Sequence, residues 1–212
     1  AKVKSGKEYI KIAGSLGPIV ASYKPELVPS YAECIDGYRK LVKVQQDGVD
    51  LFICETMSTI REAKASVTAA NESGLPSCVS FTLDDRNPFV LRSGENLSEA
   101  IKEMKQLSVE AIMINCSMPE TVSQALPLLI GSFPKVGAYA NAFQSVESLR
   151  AGGTVESLKG RKDLTPDLYL DYALKWLDMG ASIIGGCCEV GPRHIKAIHL
   201  ELSKKGYLFE AI

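Results

Sequence analysis

Six short apolar runs, each separated from the next by a longer amphipathic or loop-forming stretch, constrain this chain more than any other feature. The runs cover 9–13, 49–54, 77–82, 111–116, 135–139 and 182–186. Each is continuously apolar and bounded by turn-forming residues, the pattern of a strand buried on both faces. Helical spacing is expected over 32–46, 59–71, 97–107, 120–129, 166–179 and 192–204. Ser58 is the expected N-cap of the second helix, with Glu62 in the turn that follows. Thr165-Pro166 reads as an N-cap and a proline at the first helical position. Strands and helices alternating in this way build βαβ units around a parallel sheet.

Two architectures compete for such a pattern, an open doubly wound sheet and a closed (β/α)8 TIM barrel. The phosphate-binding fingerprints that favour the open sheet, G-x-G-x-x-G after a strand and G-x-x-x-x-G-K-[ST], are both absent from the sequence. Polar or reactive residues stand instead at the ends of nearly all the strands: Ser15, Glu55, Asn115, Cys116, Asn141, Cys187 and Cys188. In a barrel those ends converge on one mouth, where the chemistry of that fold is sited. Six strands are two short of a closed barrel, so the expected α/β fold is an incomplete one. The chain also begins at Ala1, without a methionine and directly in a strand-like segment, and it is expected to be part of something longer.

Composition narrows the class. The 212 residues are 46% hydrophobic and 23% charged, the balance of one ordinary globular domain. Basic and acidic residues number 24 and 25, a net charge of −1, so no strong field would gather nucleic acid or acidic lipid. The longest apolar stretches, such as 181–188, fall far short of the roughly 20 residues that span a bilayer. Six cysteines are too sparse for a disulfide scaffold. A reducing cytoplasm is the expected compartment. Cys34, Cys54 and Cys78 are expected to be packing residues.

The remaining thiols carry chemistry. The segment 183–188 runs from an apolar strand into Gly185-Gly186 and then the adjacent Cys187-Cys188, and 112–116 is a second strand ending in Asn115-Cys116. Either feature alone is compatible with buried structural cysteines. Together they place three thiols at the ends of two parallel strands, where they can meet at one mouth. Three thiolates holding Zn2+ leave one of four tetrahedral positions open, the arrangement of a catalytic site. Such a centre, with a net charge of about −1, suits a soft fourth ligand such as a substrate thiolate. It also suits a cationic methyl donor, and displacement of the methyl group then needs mainly positioning. Tyr139 and Phe81 could offer a ring face to such a cation, a core role being the simpler one for Phe81. Asn115 and Asn141 could bind an amino acid or hold the ligands in place. His194 and His199 are five apart and do not form a helical metal pair. The segment 152–166 has loop chemistry and is long enough to act as a flap over the mouth.

At this point the chain resembles the homocysteine S-methyltransferase family. The likeness rests on Ile12-Ala13-Gly14-Ser15-Leu16-Gly17-Pro18, Asp50 through Glu55-Thr56, Asn115-Cys116, Tyr139-Ala140-Asn141 and Gly185-Gly186-Cys187-Cys188 followed by Gly191-Pro192. The resemblance implies a (β/α)8 barrel of which about six parallel strands, the third to eighth βα units, are present across residues 1–212. The first two units, with an Asp-Gly-Gly motif, have no counterpart, and Ala140 stands where the family usually has proline. It implies zinc-dependent methyl transfer to homocysteine, forming methionine. Cys116, Cys187 and Cys188 would be the zinc ligands and Glu55 the acceptor of the homocysteine ammonium group. Asn115, Tyr139 and Asn141 are further candidate substrate contacts. Expected partners are homocysteine and a small sulfonium or betaine-type donor, with a second copy of the chain as a further candidate partner. The competing expectation is a non-catalytic zinc or thiol module, redox- or metal-responsive, or an inactive truncated member of the family.

Overall fold

The apolar runs of the sequence form a single parallel sheet. The computed structural model describes residues 10–149 and 152–210. In chain order the elements are β1 (Ala13–Leu16), α1 (Tyr31–Gln45), β2 (Leu51–Met57), α2 (Ile60–Glu72), β3 (Ser77–Phe81), β4 (Leu83–Asp84), β5 (Asn87–Leu91), α3 (Leu97–Met104), β6 (Ala111–Asn115), α4 (Pro119–Leu129), β7 (Lys135–Tyr139), α5 (Pro166–Asp178), β8 (Ile183–Ile184) and α6 (Pro192–Lys204). Six strands lie in the order β1-β2-β3-β6-β7-β8, every neighbouring pair parallel. Among the described residues β1 and β8 do not pair, so the six-stranded sheet is open.

Register sorts the side chains into two layers. Phe52 and Cys54 on β2, Val79 and Phe81 on β3, Ile112 and Ile114 on β6 and Ala138 on β7 pack outward against the helices in the main core. Leu51, Cys78, Ala111 and Met113 point to the concave side, joined by Ile53, Tyr139 and Ile183. Each fully buried aliphatic or aromatic side chain contributes about 1.5–3 kcal/mol, so the two layers together dominate stability. Gly137 lets β7 fit between its neighbours. A Cβ there would lie 2.7 Å from Met113 Cγ and 2.8 Å from Ile183 Cβ.

Three features depart most from the sequence reading. The first strand runs over Ala13–Leu16, not 9–13, because Ala13 to Leu16 pair with Leu51 to Cys54; Tyr9 lies outside the described residues. Thr59, not Ser58, caps α2, its hydroxyl accepting from the Glu62 amide. The Ser58 hydroxyl is instead buried without a hydrogen-bond partner. Finally, β4 and β5 form an antiparallel hairpin inserted between β3 and α3, which the apolar pattern did not announce.

Candidate metal centre

The three cysteines meet where β6 and β8 end. Cys116 follows β6 directly, with a left-handed backbone (φ 48°) that turns its side chain at the strand end. Beyond β8 the backbone continues beside β7: the Gly185 amide donates to the Ala138 carbonyl (3.1 Å) and the Cys187 amide to that of Ala140 (2.9 Å). The Ala142 amide in turn donates to the Cys188 carbonyl at 2.9 Å. A side chain at Gly186 would collide with Val190, so glycine allows the tight turn that sets both thiols beside Cys116. Cys116 and Cys187 are joined as a disulfide. The Cys188 sulfur lies 3.9 Å from each of the other two.

This donor set fits zinc. Zn–S bonds of about 2.3 Å in a tetrahedron place sulfurs about 3.8 Å apart, and the two edges to Cys188 match that spacing. The third edge is the disulfide, which has to be reduced before both sulfurs can act as ligands. All three sulfurs lie within 4.8 Å of one another, and among the described residues no other group of three cysteine, histidine or acidic side chains has a metal-site arrangement.

Glu55 stands on the concave face of β2. Its carboxylate accepts from Ser15 Oγ at 2.6 Å and from the Tyr139 hydroxyl at 3.4 Å. Burial and then the Glu55 charge push the Tyr139 hydroxyl well above its ordinary range. Burial also raises the Cys188 thiol, with smaller contributions from Glu189 and Glu55. Asn115 is fully buried. Its Oδ1 accepts from the Thr56 amide (3.0 Å) and Ser80 Oγ (2.8 Å), while Nδ2 donates to Thr56 Oγ1 (2.8 Å) and faces Cys187 Sγ at 3.9 Å. It thus ties β2, β3 and β6 together beneath the Cys187 sulfur. Asn141 is equally buried. Its Oδ1 accepts from the Phe143 amide, and its Nδ2 has no hydrogen-bond partner.

Other groups around the cysteines were not singled out by the sequence reading. Tyr23, Phe143, Val146 and Leu149 form a small apolar cluster that packs on Cys116, Cys187 and Cys188. Arg92, just past β5, reaches the Cys116 carbonyl. Ser15 was visible as a strand-end hydroxyl, but its partner Glu55 is 40 residues away. For Tyr23 and Arg92 the one available signal was an aromatic and a basic residue in loops at the mouth side of β1 and β5. The packing expectations hold. Cys34, Cys54, Cys78 and Phe81 are buried packing residues, with burial pushing the Cys54 thiol up to about 12 and that of Cys78 to about 11. His194 sits in the first turn of α6, its Nδ1 accepting from the Gly191 amide. The flap segment is pinned, with Phe143 bridging Gly160 and Arg161 gripping Glu120 and Asp163. A cavity of about 560 Å3 lies elsewhere, between Ala13, Leu51 and Ile53 on one side and Ile183, Ile198 and His199 on the other.

A sequence model of the family described as homocysteine S-methyltransferase matches residues 1–202. The chain belongs to the homocysteine S-methyltransferase family. It is 30% identical over 207 residues to a selenocysteine methyltransferase of Astragalus bisulcatus, covering 92% of this chain and 59% of the relative. It is also 30% identical over 208 residues to homocysteine S-methyltransferase 1 of Brassica oleracea var. italica, covering 91% and 60%. The metallated form of the homocysteine methyltransferase MmuM from Escherichia coli superposes with a TM-score of 0.74 at 25% identity, over 94% of this chain and 64% of that one. The chain spans between 48% and 64% of the length of the homocysteine and selenocysteine methyltransferases it matches.

Proposed function

We propose that this chain carries the zinc and homocysteine sites of an S-methyltransferase that moves a methyl group from a small cationic donor to the homocysteine thiolate, forming methionine. The observation that carries the reading is the convergence of Cys116, Cys187 and Cys188 within 4.8 Å at the strand ends, beside a carboxylate held by Ser15 and Tyr139. Cys116, Cys187 and Cys188 would hold the ion, which when bound supplies a Lewis acid that keeps a substrate thiol deprotonated at neutral pH. Glu55 pairs with the substrate ammonium group, and the Ser15 and Tyr139 hydroxyls fix the direction of its carboxylate. Phe143, Val146 and Leu149 keep bulk water from the sulfurs on the side they cover. Asn115 acts from below by fixing the end of β6 against β2 and β3. The Tyr139 ring and the Glu55 charge favour a cationic donor of the sulfonium or betaine type. A reducing, cytoplasmic setting fits ligands that must be free thiols.

One observation favours a second reading. The Cys116–Cys187 bond would suit a thiol module that responds to oxidants without turnover. The decisive assay combines zinc content with methyl transfer from a panel of sulfonium and betaine donors to homocysteine. The proposed reaction requires about one zinc per chain, lost in Cys187→Ala, and methionine formed from at least one donor. Full zinc retention in Cys187→Ala sinks the metal assignment. Reversible oxidation without methyl transfer selects the second reading.

A further inference from the structure

The inserted hairpin carries a charge that the proposed chemistry does not yet use. Arg92 is only 10% exposed and Asp85 16%, and the two pair at 2.8 Å. The guanidinium has three further contacts, all toward the cysteines. Its Nε donates to Thr82 Oγ1 at 3.0 Å, and an Nη2 hydrogen points at the Cys116 carbonyl at 3.5 Å. Its central carbon lies 5.0 Å from the centre of the Tyr23 ring. Thr82 Oγ1 donates to the same Cys116 carbonyl at 3.0 Å, and Tyr23 packs in the small apolar cluster that includes Cys116 and touches Cys187 and Cys188. Asp85 faces the other way, its second oxygen accepting from the Met118 amide and Thr121 Oγ1. The pair is therefore oriented, with its positive end toward the Cys116 carbonyl and the Tyr23 ring and its negative end toward the start of α4.

We propose that Arg92 is a positioning residue of the metal centre: it holds the left-handed turn at Cys116 and offsets the negative charge of three thiolates around a divalent cation. The inference rests on the metal-centre reading given above. Three thiolates around Zn2+ leave about one negative charge, and a thiolate substrate adds a second. A buried cation near such a centre acts with little screening. Tyr23 extends this arrangement to the cysteine cluster, with its ring under the guanidinium and its side chain packed among the cysteines. Partners that orient metal ligands from outside the ligand shell typically change metal affinity by about 10–100-fold when removed.

The test measures zinc affinity by chelator competition, in reductant, for wild type, Arg92→Gln, Arg92→Lys and Asp85→Asn, with far-UV circular dichroism as the check on folding. Arg92→Gln is expected to bind zinc about tenfold more weakly or worse, and Arg92→Lys, which keeps the charge, to stay within about threefold of wild type. Asp85→Asn breaks the same ion pair but leaves the cation in place, so its zinc affinity is expected to equal or exceed that of wild type. A purely structural ion pair predicts the opposite, with Asp85→Asn weakened as much as Arg92→Gln. That result, or an Arg92→Gln protein with wild-type zinc affinity, overturns the proposal. Should Arg92→Gln not fold, Asp85→Asn binding more weakly than Arg92→Lys overturns it equally. A wild-type chain that takes up no zinc fails the metal-centre reading itself, and this inference falls with it.

Discussion

Asn115 offers the sharpest separation between a residue that touches substrate and one that builds the site. Its amide has two acceptor contacts and one donor contact with Thr56 and Ser80 at 2.8–3.0 Å, all fully buried. Asn115→Ala strands the Thr56 amide hydrogen, which costs about 1–3 kcal/mol when no partner or water replaces the oxygen. The Ser80 and Thr56 hydroxyls can rotate but lose good partners, at roughly 0.5–1.5 kcal/mol each. With the small cavity left behind, the expected destabilisation is about 3–5 kcal/mol. For a chain of this size each kcal/mol moves the midpoint by about 2–4 °C, so Tm should fall by roughly 6–20 °C. Thermal and urea unfolding of the zinc-free, reduced protein, followed by circular dichroism, measures this directly. Homocysteine binding is measured in parallel under conditions where the variant remains folded. An Asn115→Ala protein within about 0.5 kcal/mol of wild type that has lost homocysteine binding refutes the reasoning, and makes Asn115 a substrate contact.

Four further outcomes are expected. Burial holds the proton of Glu62 more firmly in the folded chain than at its ordinary value of 4.5. Its contribution to stability is therefore present below pH 4.5 and lost as pH rises through the raised folded value; the difference in unfolding free energy between wild type and Glu62→Gln should show that fall, and a flat difference curve refutes it. Zinc uptake by air-exposed protein should rise to about one per chain only after thiol reduction, because the Cys116–Cys187 bond withholds two ligands; equal uptake without reductant contradicts this. Arg161→Ala removes the grip on Glu120 and Asp163 at 2.7–2.9 Å, which should cost roughly 1–2 kcal/mol and speed proteolysis within 144–160, whereas an unchanged cleavage rate would show that other contacts hold the loop. Gly137→Ala forces a methyl into contacts of 2.7 and 2.8 Å with Met113 and Ile183 and should cost about 1–3 kcal/mol in urea unfolding; a neutral result would mean that β7 shifts freely.

The sequence made the scaffold legible because parallel strands buried on both faces leave continuous apolar runs, and all six runs occur near the observed strands. It made the candidate metal centre legible because the candidate ligands are cysteines at strand ends, a position that packing alone does not require twice. What it concealed is local in space and remote in sequence. Ser15 meets Glu55 across 40 residues, and Arg92 meets Cys116 across 24, through a hairpin whose Asn87-Pro88 start argues against a strand. The α2 cap was misplaced by one residue because Ser58 and Thr59 are both good caps, and only the hydrogen bond to the Glu62 amide decides between them. The β1 boundary was misplaced because Gly14 and Ser15 carry little strand propensity, while pairing with β2 supplies the order.

The left-handed turn at Cys116 sets fold and chemistry at odds over evolutionary time. A side chain held at φ 48° costs about 1–3 kcal/mol that glycine would not incur. Mutational drift toward a sturdier chain therefore leads through Cys116→Gly, a replacement that relaxes the backbone while deleting a ligand. Lineages released from selection for the thiol should lose it to glycine readily and keep the barrel. Cysteine retained at this position is thus a sign that the sulfur is in use.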